Sequence, residues 1–344
     1  MSMQPNGGLM KLASQRFDRS APLFARTVAM PGIQTIHVPP GSPGVEGVQQ
    51  PGFFDAAEMP LARYVFLKDQ GDALSAVPVF PDRLMVHQYV YTRTDSGIES
   101  MADLRGKRVL LTGYWVTASF WHRTILEEEY GVPMSEVHWH VTGPELDPRQ
   151  TYPPGVEVTV APGPFQGMEV LLDGRVDALM SESTPPIPLD QRHLVKRVIP
   201  DAQAVQREWY RRTGFNPIVH LVVVRKDALE RWPDFGYELC SAYDEAMRQT
   251  YLALQNERFT SLPFMRAYLD DAMEIGGDNP WPYGVERNRA EIERFLTMAH
   301  EQGMTRRRVG FDELFDARSL DYAFTARLEP GSTTDGGSVP NAYR

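Results

Sequence analysis

Three polar side chains, Tyr114, Thr117 and Ser119, follow directly on the apolar run KRVLLTG (Lys107–Gly113), where the pattern turns from strand to helix. The first N–H groups of a helix have no intrahelical acceptor and sit at the positive end of its dipole, so this turn could hold an anion. An ordinary N-cap at Thr117 would use the same residues. Trp115, Phe120 and Trp121 could wall the place with aromatic surface, but their spacing of i, i+5 and i+6 keeps at least one of them in the core. Arg211 and Arg212 are adjacent cations. Neighbouring positions of an extended segment face opposite sides, which leaves one in solvent; Arg212, beside Thr213 and Gly214, is taken as the anion contact.

Other chemistries are missing their residues. His138 and His140 would share one face of a strand, yet no third ligand follows at a recognisable spacing and HExxH is absent, so no metal is expected. No GxGxxG follows a strand, and neither a Walker sequence nor a GxSxG elbow occurs, so no cofactor is expected. Cys240, the single cysteine, excludes an intramolecular disulfide and reads as a small buried hydrophobe on a helix.

The whole chain bounds what these residues can serve. Its 344 residues suffice for about two domains at roughly 100–200 residues each. The net charge of −10 argues against binding to nucleic acid or to an anionic membrane surface. With 42% hydrophobic and 23% charged residues the composition is that of a folded globular protein. The N-terminal stretch lacks the ~7–15-residue apolar core of an export signal, and no run approaches the ~18 apolar residues of a membrane span. A soluble cytoplasmic protein is therefore expected.

The elements alternate through the middle of the chain. HQYVYTR (His87–Arg93), KRVLLTG, VEVTVAPG and VDALMSE (Val176–Glu182) read as strands. Ser100 and Asp103 form a capping box ahead of a short helix stopped by Gly106, and a second helix should run from Thr117 to Tyr130 before Gly131 and Pro133. GMEVLLDGR is a further short helix, and the sequence has the βαβ rhythm of a parallel sheet. HLVVVRKDAL (His220–Leu229) is a buried strand leading into a helix, after which Tyr237–Phe259, Pro263–Glu274 and Val285–Gln302 are helical in pattern. Residues 1–10 and the tail from Pro330 to Arg344 are expected to be irregular and to carry no chemistry, and Pro39–Gly52 is expected to be a surface loop. Self-association through the apolar C-terminal helices is plausible on this pattern.

Two phrases, TRTDSGIESMADLRGKRV and HLVVVRKD, read as crossings between two lobes. They resemble the hinge of the type II periplasmic-binding-protein fold, in which two α/β lobes close on a ligand. That resemblance implies an α/β, two-lobed architecture with a ligand cleft between the lobes. Residues 1–93 with 225–344 would form the first lobe and 94–224 the second.

A narrower resemblance rests on FDAAEMPLARY (Phe54–Tyr64), PVFPDRLMVH (Pro78–His87), ILEEEYGVP (Ile125–Pro133), YRRTGFNPIVHLVVVRK (Tyr210–Lys226) and NPWPYGVERNR (Asn279–Arg289). From about Leu12 to Phe315 the chain is similar to the 4,5-dihydroxyphthalate decarboxylase family. The resemblance implies a cytoplasmic enzyme that removes a carboxyl group from a hydroxylated aromatic acid without oxidation. A non-catalytic small-molecule binder, or a biosynthetic lyase, isomerase or hydrolase reusing the cleft, are the alternatives.

Within the matching phrases, His87 and His220 are the candidate proton donors, each with the alternative of a hydrogen-bonded core or hinge histidine. Arg83 and Arg212 would hold a carboxylate or phenolate. Glu58 would face the ligand and orient a histidine or accept a phenolic proton, or else cap a helix beginning at Pro60. Tyr210, Tyr114, Trp115, Thr117, Ser119 and Ser183 complete the expected substrate contacts. Val86 and Ser183 stand where the family usually has arginines, and Trp115 arrives where the family has Pro-Glu-Tyr-Gln-Met-Thr. These departures disfavour a dianionic phthalate and favour a larger, more apolar, monocarboxylated aromatic acid.

Overall fold

The computed structural model describes residues 8–39, 47–143, 147, 149–160 and 167–328. Most of the expected irregular leader, the tail from Pro330 and residues 40–46 of the Pro39–Gly52 loop lie outside them, while Met10 already begins the first strand.

The first sheet is built from β1 (Met10–Ser14), β2 (Ile33–His37), β3 (Ala56–Pro60), β4 (Leu74–Arg83) and a strand from much later in the chain, β11 (Ile218–Arg225). Its order is β2-β1-β3-β11-β4, with β1, β2 and β3 parallel and β11 antiparallel to both neighbours. The second sheet holds β5 (Val90–Arg93), β6 (Arg108–Leu111), β7 (His138–Val141), β8 (Val158–Val160), β9 (Ala178–Met180) and β10 (Val195–Arg197), in the order β10-β5-β9-β6-β7-β8. Strands β6 and β9 are parallel neighbours, so KRVLL and VDALM share a sheet.

The sheets change over earlier than residues 93 and 224, where the sequence reading drew the lobe boundaries. β5 pairs with β9 and β10, and all of β11 pairs with β3 and β4. IVHLVVVR is apolar on both faces, which suits a central strand, and the place between β3 and β4 is central. The crossings therefore run through 84–89 and 198–217, and Leu84 N–H donates to Pro217 C=O at 2.9 Å to tie them together. His87 lies in the first crossing, in a 3₁₀ turn over Val86–Tyr89 rather than in a strand.

Helices α1 (Ala21–Phe24), α2 (Leu61–Asp69), α3 (Thr117–Tyr130), α4 (Gly167–Leu172), α5 (Ala202–Thr213), α6 (Lys226–Arg231), α7 (Phe235–Gln255), α8 (Met265–Gly276) and α9 (Arg289–Glu301) cover the sheets. Helix α3 joins the two lobes: residues 117–126 are buried throughout, with Phe120 against Phe295 of α9 and Trp121 Nε1 donating to Ile218 C=O of β11. It ends where Gly131 turns left-handed at φ 66°, and the Gly131 and Val132 amides close on Glu127 and Leu126. Among the described residues no helix is long and apolar enough to cross a membrane.

Candidate active site

The parallel register Leu12↔Ala56 and Ala13↔Ala57 brings Ser14, at the end of β1, beside Glu58 on β3. Across the other edge of β3, Val222 faces Glu58 and His220 faces Pro60, so Glu58 and His220 are diagonal neighbours on one face. On its far side His220 pairs with Asp82 of β4, and the register shifts on both sides of that pair. Such bulges re-aim a side chain out of the regular pleat.

One carboxylate anchors the cluster from behind. Glu58 is fully buried; its Oε2 accepts from Ser14 Oγ and from the Gln15 amide, both at 2.9 Å, and Ser14 Oγ accepts from the Tyr243 hydroxyl at 2.9 Å. Its Oε1 lies 2.7 Å from His220 Nδ1. Asp82 Oδ2 stands 3.9 Å from the same nitrogen. The His220 and Asp82 side chains keep 15% and 25% of their surface, against none for Glu58, so the imidazole is presented outward from a buried base. Among the described residues Nε2 has no hydrogen-bond partner.

The electrostatics follow from this arrangement. Burial by itself would push His220 down, but the Glu58 hydrogen bond and the charges of Glu58, Asp82 and Glu182 outweigh it and hold the imidazole above its ordinary value. Burial would raise Glu58, yet the His220 hydrogen bond and charge, with the Gln15 and Ser14 hydrogen bonds, leave it below the ordinary glutamate value. Asp82 is raised by burial, with His220 and Arg19 opposing and Glu58 adding to it. Glu182, two residues past β9, is raised by burial and by Asp82, with the Thr112 hydrogen bond and His220 opposing. The result is an imidazole whose charged form is favoured by three carboxyl groups, two of which are themselves held above their ordinary values. Arg19 supplies a second cation: its guanidinium lies between the rings of Phe17 and Trp281, at 4.2 and 4.1 Å, and 3.6 Å from Asp82.

Of the residues singled out in the sequence, Glu58 and His220 are brought together and the others serve elsewhere. Glu58 does not cap α2, whose N-terminal flank is Pro60. The ring of His87 is buried edge-on to Trp209 at 5.3 Å, with neither nitrogen hydrogen-bonded among the described residues. Burial pushes it down to about 4, against a weak pull from Glu129, so it is neutral near neutral pH and has no acidic proton to give. Arg83 is walled in: Nη1 donates to Asn216 C=O at 2.6 Å, Nη2 to Pro282 C=O at 2.8 Å and to Asn288 Oδ1, and Glu291 lies 3.5 Å away. Arg212 is exposed at the end of α5 and pairs with Glu129 at 2.6 Å. Neither guanidinium meets the cluster.

Thr117 does not cap α3, whose N-cap is Val116; its hydroxyl accepts from the Ala62 amide at the start of α2, 3.1 Å away. Tyr114 and Trp115 are core residues packed edge-to-face at 4.8 Å, and Phe120 and Trp121 are buried with them. Ser119 is buried, Ser183 is exposed, and Tyr210 is half-buried with its hydroxyl beside Gly276 of α8. His138 pairs with Glu157 at 3.1 Å, and among the described residues no group of three or more His, Cys, Asp or Glu could hold a metal.

Sequence reasoning passed over Ser14, Arg19, Asp82, Glu182 and Tyr243. Position was the available signal for two members of the cluster: Ser14 ends β1 and Glu182 lies just beyond β9, at the carboxyl ends of parallel strands, where open α/β sheets receive ligands.

No family model matches the chain. It is 33% identical over 329 residues to a 4,5-dihydroxyphthalate decarboxylase of Comamonas testosteroni, covering 91% of this chain and 97% of that one. A second relative of the same name, from Pseudomonas putida, is 34% identical over 169 residues, 47% of this chain and 66% of the relative. Among solved structures it is similar to the periplasmic aliphatic sulphonate binding protein SsuA of Escherichia coli, with a TM-score of 0.54 at 14% identity over 90% of this chain and 98% of that one. A sulfonate-binding SsuA of Methylobacillus flagellatus gives 0.56 at 15% identity over 92% and 94%. The two-sheet, two-lobed fold is thus that of the periplasmic binding proteins, and by its length-spanning relationship to the Comamonas protein the chain belongs to the 4,5-dihydroxyphthalate decarboxylase family.

Proposed function

We propose that this protein decarboxylates a hydroxylated aromatic or related conjugated carboxylic acid without oxidation and without a cofactor, with protonated His220 as the proton donor. The observation that carries this reading is the Glu58–His220 pair: a buried carboxylate on Nδ1 favours the charged imidazole and turns Nε2 outward. In the reaction Nε2–H is transferred to the ring carbon that bears the carboxylate. The bond from that carbon to the carboxylate then breaks, its electron pair restores the aromatic ring, and carbon dioxide leaves. His220 recovers its proton from water. The names of the relatives support the reaction class.

Arg19 takes the anion-holding role first sought in Arg83 and Arg212, because it is the guanidinium beside the cluster. The same inventory supports a choice of substrate. His220 is engaged by Glu58, and Arg19 by Asp18 and Asp82, so a second carboxylate would find no further guanidinium to pair it among the described residues. A monocarboxylated phenolic acid fits this balance and 4,5-dihydroxyphthalate does not.

The test is carbon dioxide release from a panel of mono- and dicarboxylated phenols by exhaustively chelated protein. Turnover of monocarboxylates, with little on 4,5-dihydroxyphthalate, is expected. Tight binding across the panel with no carbon dioxide would make the protein a binder, and activity lost on chelation and restored by one divalent ion would overturn the cofactor-free mechanism.

A further inference from the structure

Three carboxyl groups act on His220, and the reaction above uses one. Glu58 is consumed by Ser14, Gln15 and His220. Asp82 is held between His220 and Arg19. Glu182 differs from both. It comes from the second lobe, two residues beyond β9, whereas Glu58, Asp82 and His220 all stand on strands of the first. Thr112, just past the end of β6, acts to lower its carboxyl against burial, and its charge is felt by His220 and Asp82. Its Oε1 is shielded from solvent and has no hydrogen-bond partner among the described residues. An acceptor oxygen left bare at a site costs stability unless a ligand uses it.

Resting on the decarboxylase reading, we propose that Glu182 is a second catalytic residue, a general base from the opposite lobe that takes the proton of the substrate's ring hydroxyl while His220 protonates the ring. The hydroxyl O–H bond breaks and its proton passes to Glu182 Oε1, and the oxygen's electron pair moves into the ring. The carbon bearing the carboxylate gains a proton from His220 Nε2. Loss of carbon dioxide returns the electron pair through the ring to the oxygen, which takes its proton back from Glu182. The sum is one proton consumed, supplied by water through His220, and one carbon dioxide released. Glu182 is set for this role by its place just past the carboxyl end of β9 with Oε1 shielded and bare, and its charge couples to His220 and Asp82 on the first lobe, the latter backed by Arg19. Its carboxyl sits above its ordinary value through burial and Asp82, so the site needs Glu182 ionised and His220 protonated, and the raised imidazole value keeps that combination available.

The experiment measures carbon dioxide release across pH by wild type and Glu182→Gln. The substrates are 4-hydroxybenzoate, 3,4-dihydroxybenzoate, 3,4,5-trihydroxybenzoate and their O-methylated counterparts. Wild type should prefer the hydroxylated acids. Glu182→Gln should lower kcat on them by about 10²–10⁴-fold, lower the slower turnover of the methylated acids far less, and abolish the acid limb of the pH profile. Glu182→Asp should keep the acid limb at reduced rate, which tests the idea even if the glutamine variant does not fold. Wild-type kcat and an intact acid limb in Glu182→Gln, an equal loss on both substrate series, or no acid limb in Glu182→Asp would each overturn the proposal and leave the role of His220 standing. Absence of carbon dioxide from every acid with wild type would overturn both.

Discussion

Glu58 Oε1 lies 2.7 Å from His220 Nδ1 on an adjacent antiparallel strand, and this contact fixes both the direction of the imidazole and its charge. Because Glu58 holds a proton on His220, removing its charge moves the imidazole value down. In Glu58→Gln the alkaline limb of the kcat/KM profile should shift to lower pH, and Asp82→Asn should shift it the same way by less, since Asp82 is 3.9 Å away and solvent-facing. An unmoved alkaline limb in Glu58→Gln would mean that another group sets it.

The same pair contributes stability only while both partners are charged. Glu58 sits below 4.5, so its share is present above that pH and fades as pH falls through its folded value; His220 sits above 6.5, so its share is complete below 6.5 and fades as pH rises through its folded value. The destabilisation of His220→Gln relative to wild type should therefore be greatest between about pH 4.5 and 6.5 and smaller on either side. Denaturant titrations across pH measure it.

Arg83 should behave as a fastener. Its guanidinium joins the end of β4 to Asn216 in the second crossing and to Pro282 and Asn288 ahead of α9, and it neutralises Glu291, whose carboxyl is pushed up to about 7 by burial despite Arg83. Arg83→Ala leaves that carboxyl buried without its countercharge, held by the Asn216 and Ile218 amides, at a cost of about 3–5 kcal/mol, and Arg83→Lys cannot reproduce the planar fork. The unfolding midpoint should fall with KM unchanged in the protein that remains folded. A raised KM at an unchanged midpoint would restore Arg83 as an anion clamp.

His87 predicts an acid sensitivity. Its folded value of about 4 lies below the ordinary 6.5, so the unfolded chain binds more protons and stability declines as pH falls from 6.5 to about 4, then levels for this group. The decline amounts to roughly 3 kcal/mol at most. His87→Leu, which also removes two buried nitrogens without hydrogen bonds, should flatten that part of the curve while leaving catalysis intact. A large loss of turnover in folded His87→Leu would return His87 to the reaction.

What could be read from the sequence was local or repeated. Helix α3 begins at Thr117 and ends at Tyr130 as its apolar pattern and Gly131 require, the Ser100–Asp103 capping box is present on a 3₁₀ turn, and β11 follows from its β-branched run. Glu58 and His220 could be named one by one, but their contact spans 162 positions and depends on the register of β3 against β11. Arg83 was misjudged for the same reason, since Asn288 lies 205 positions away. Thr117 had a plausible local role as a cap, and a tertiary partner, the Ala62 amide, took its hydroxyl instead. Glu182 and Asp82 lay in plain view as the acids ending VDALMSE and interrupting PVFPDRL, and only the meeting of the two sheets gives them a shared imidazole.

The central claim is that His220 delivers the proton that replaces the carboxyl group. Its most direct test is turnover of the accepted hydroxybenzoate in deuterated water by wild type and by folded His220→Gln, with mass analysis of the product. Wild type should place one deuterium at the vacated ring carbon, and the variant should form that product about 10²–10⁴-fold more slowly at little changed substrate affinity. Labelled product formed by His220→Gln at the wild-type rate would contradict the account.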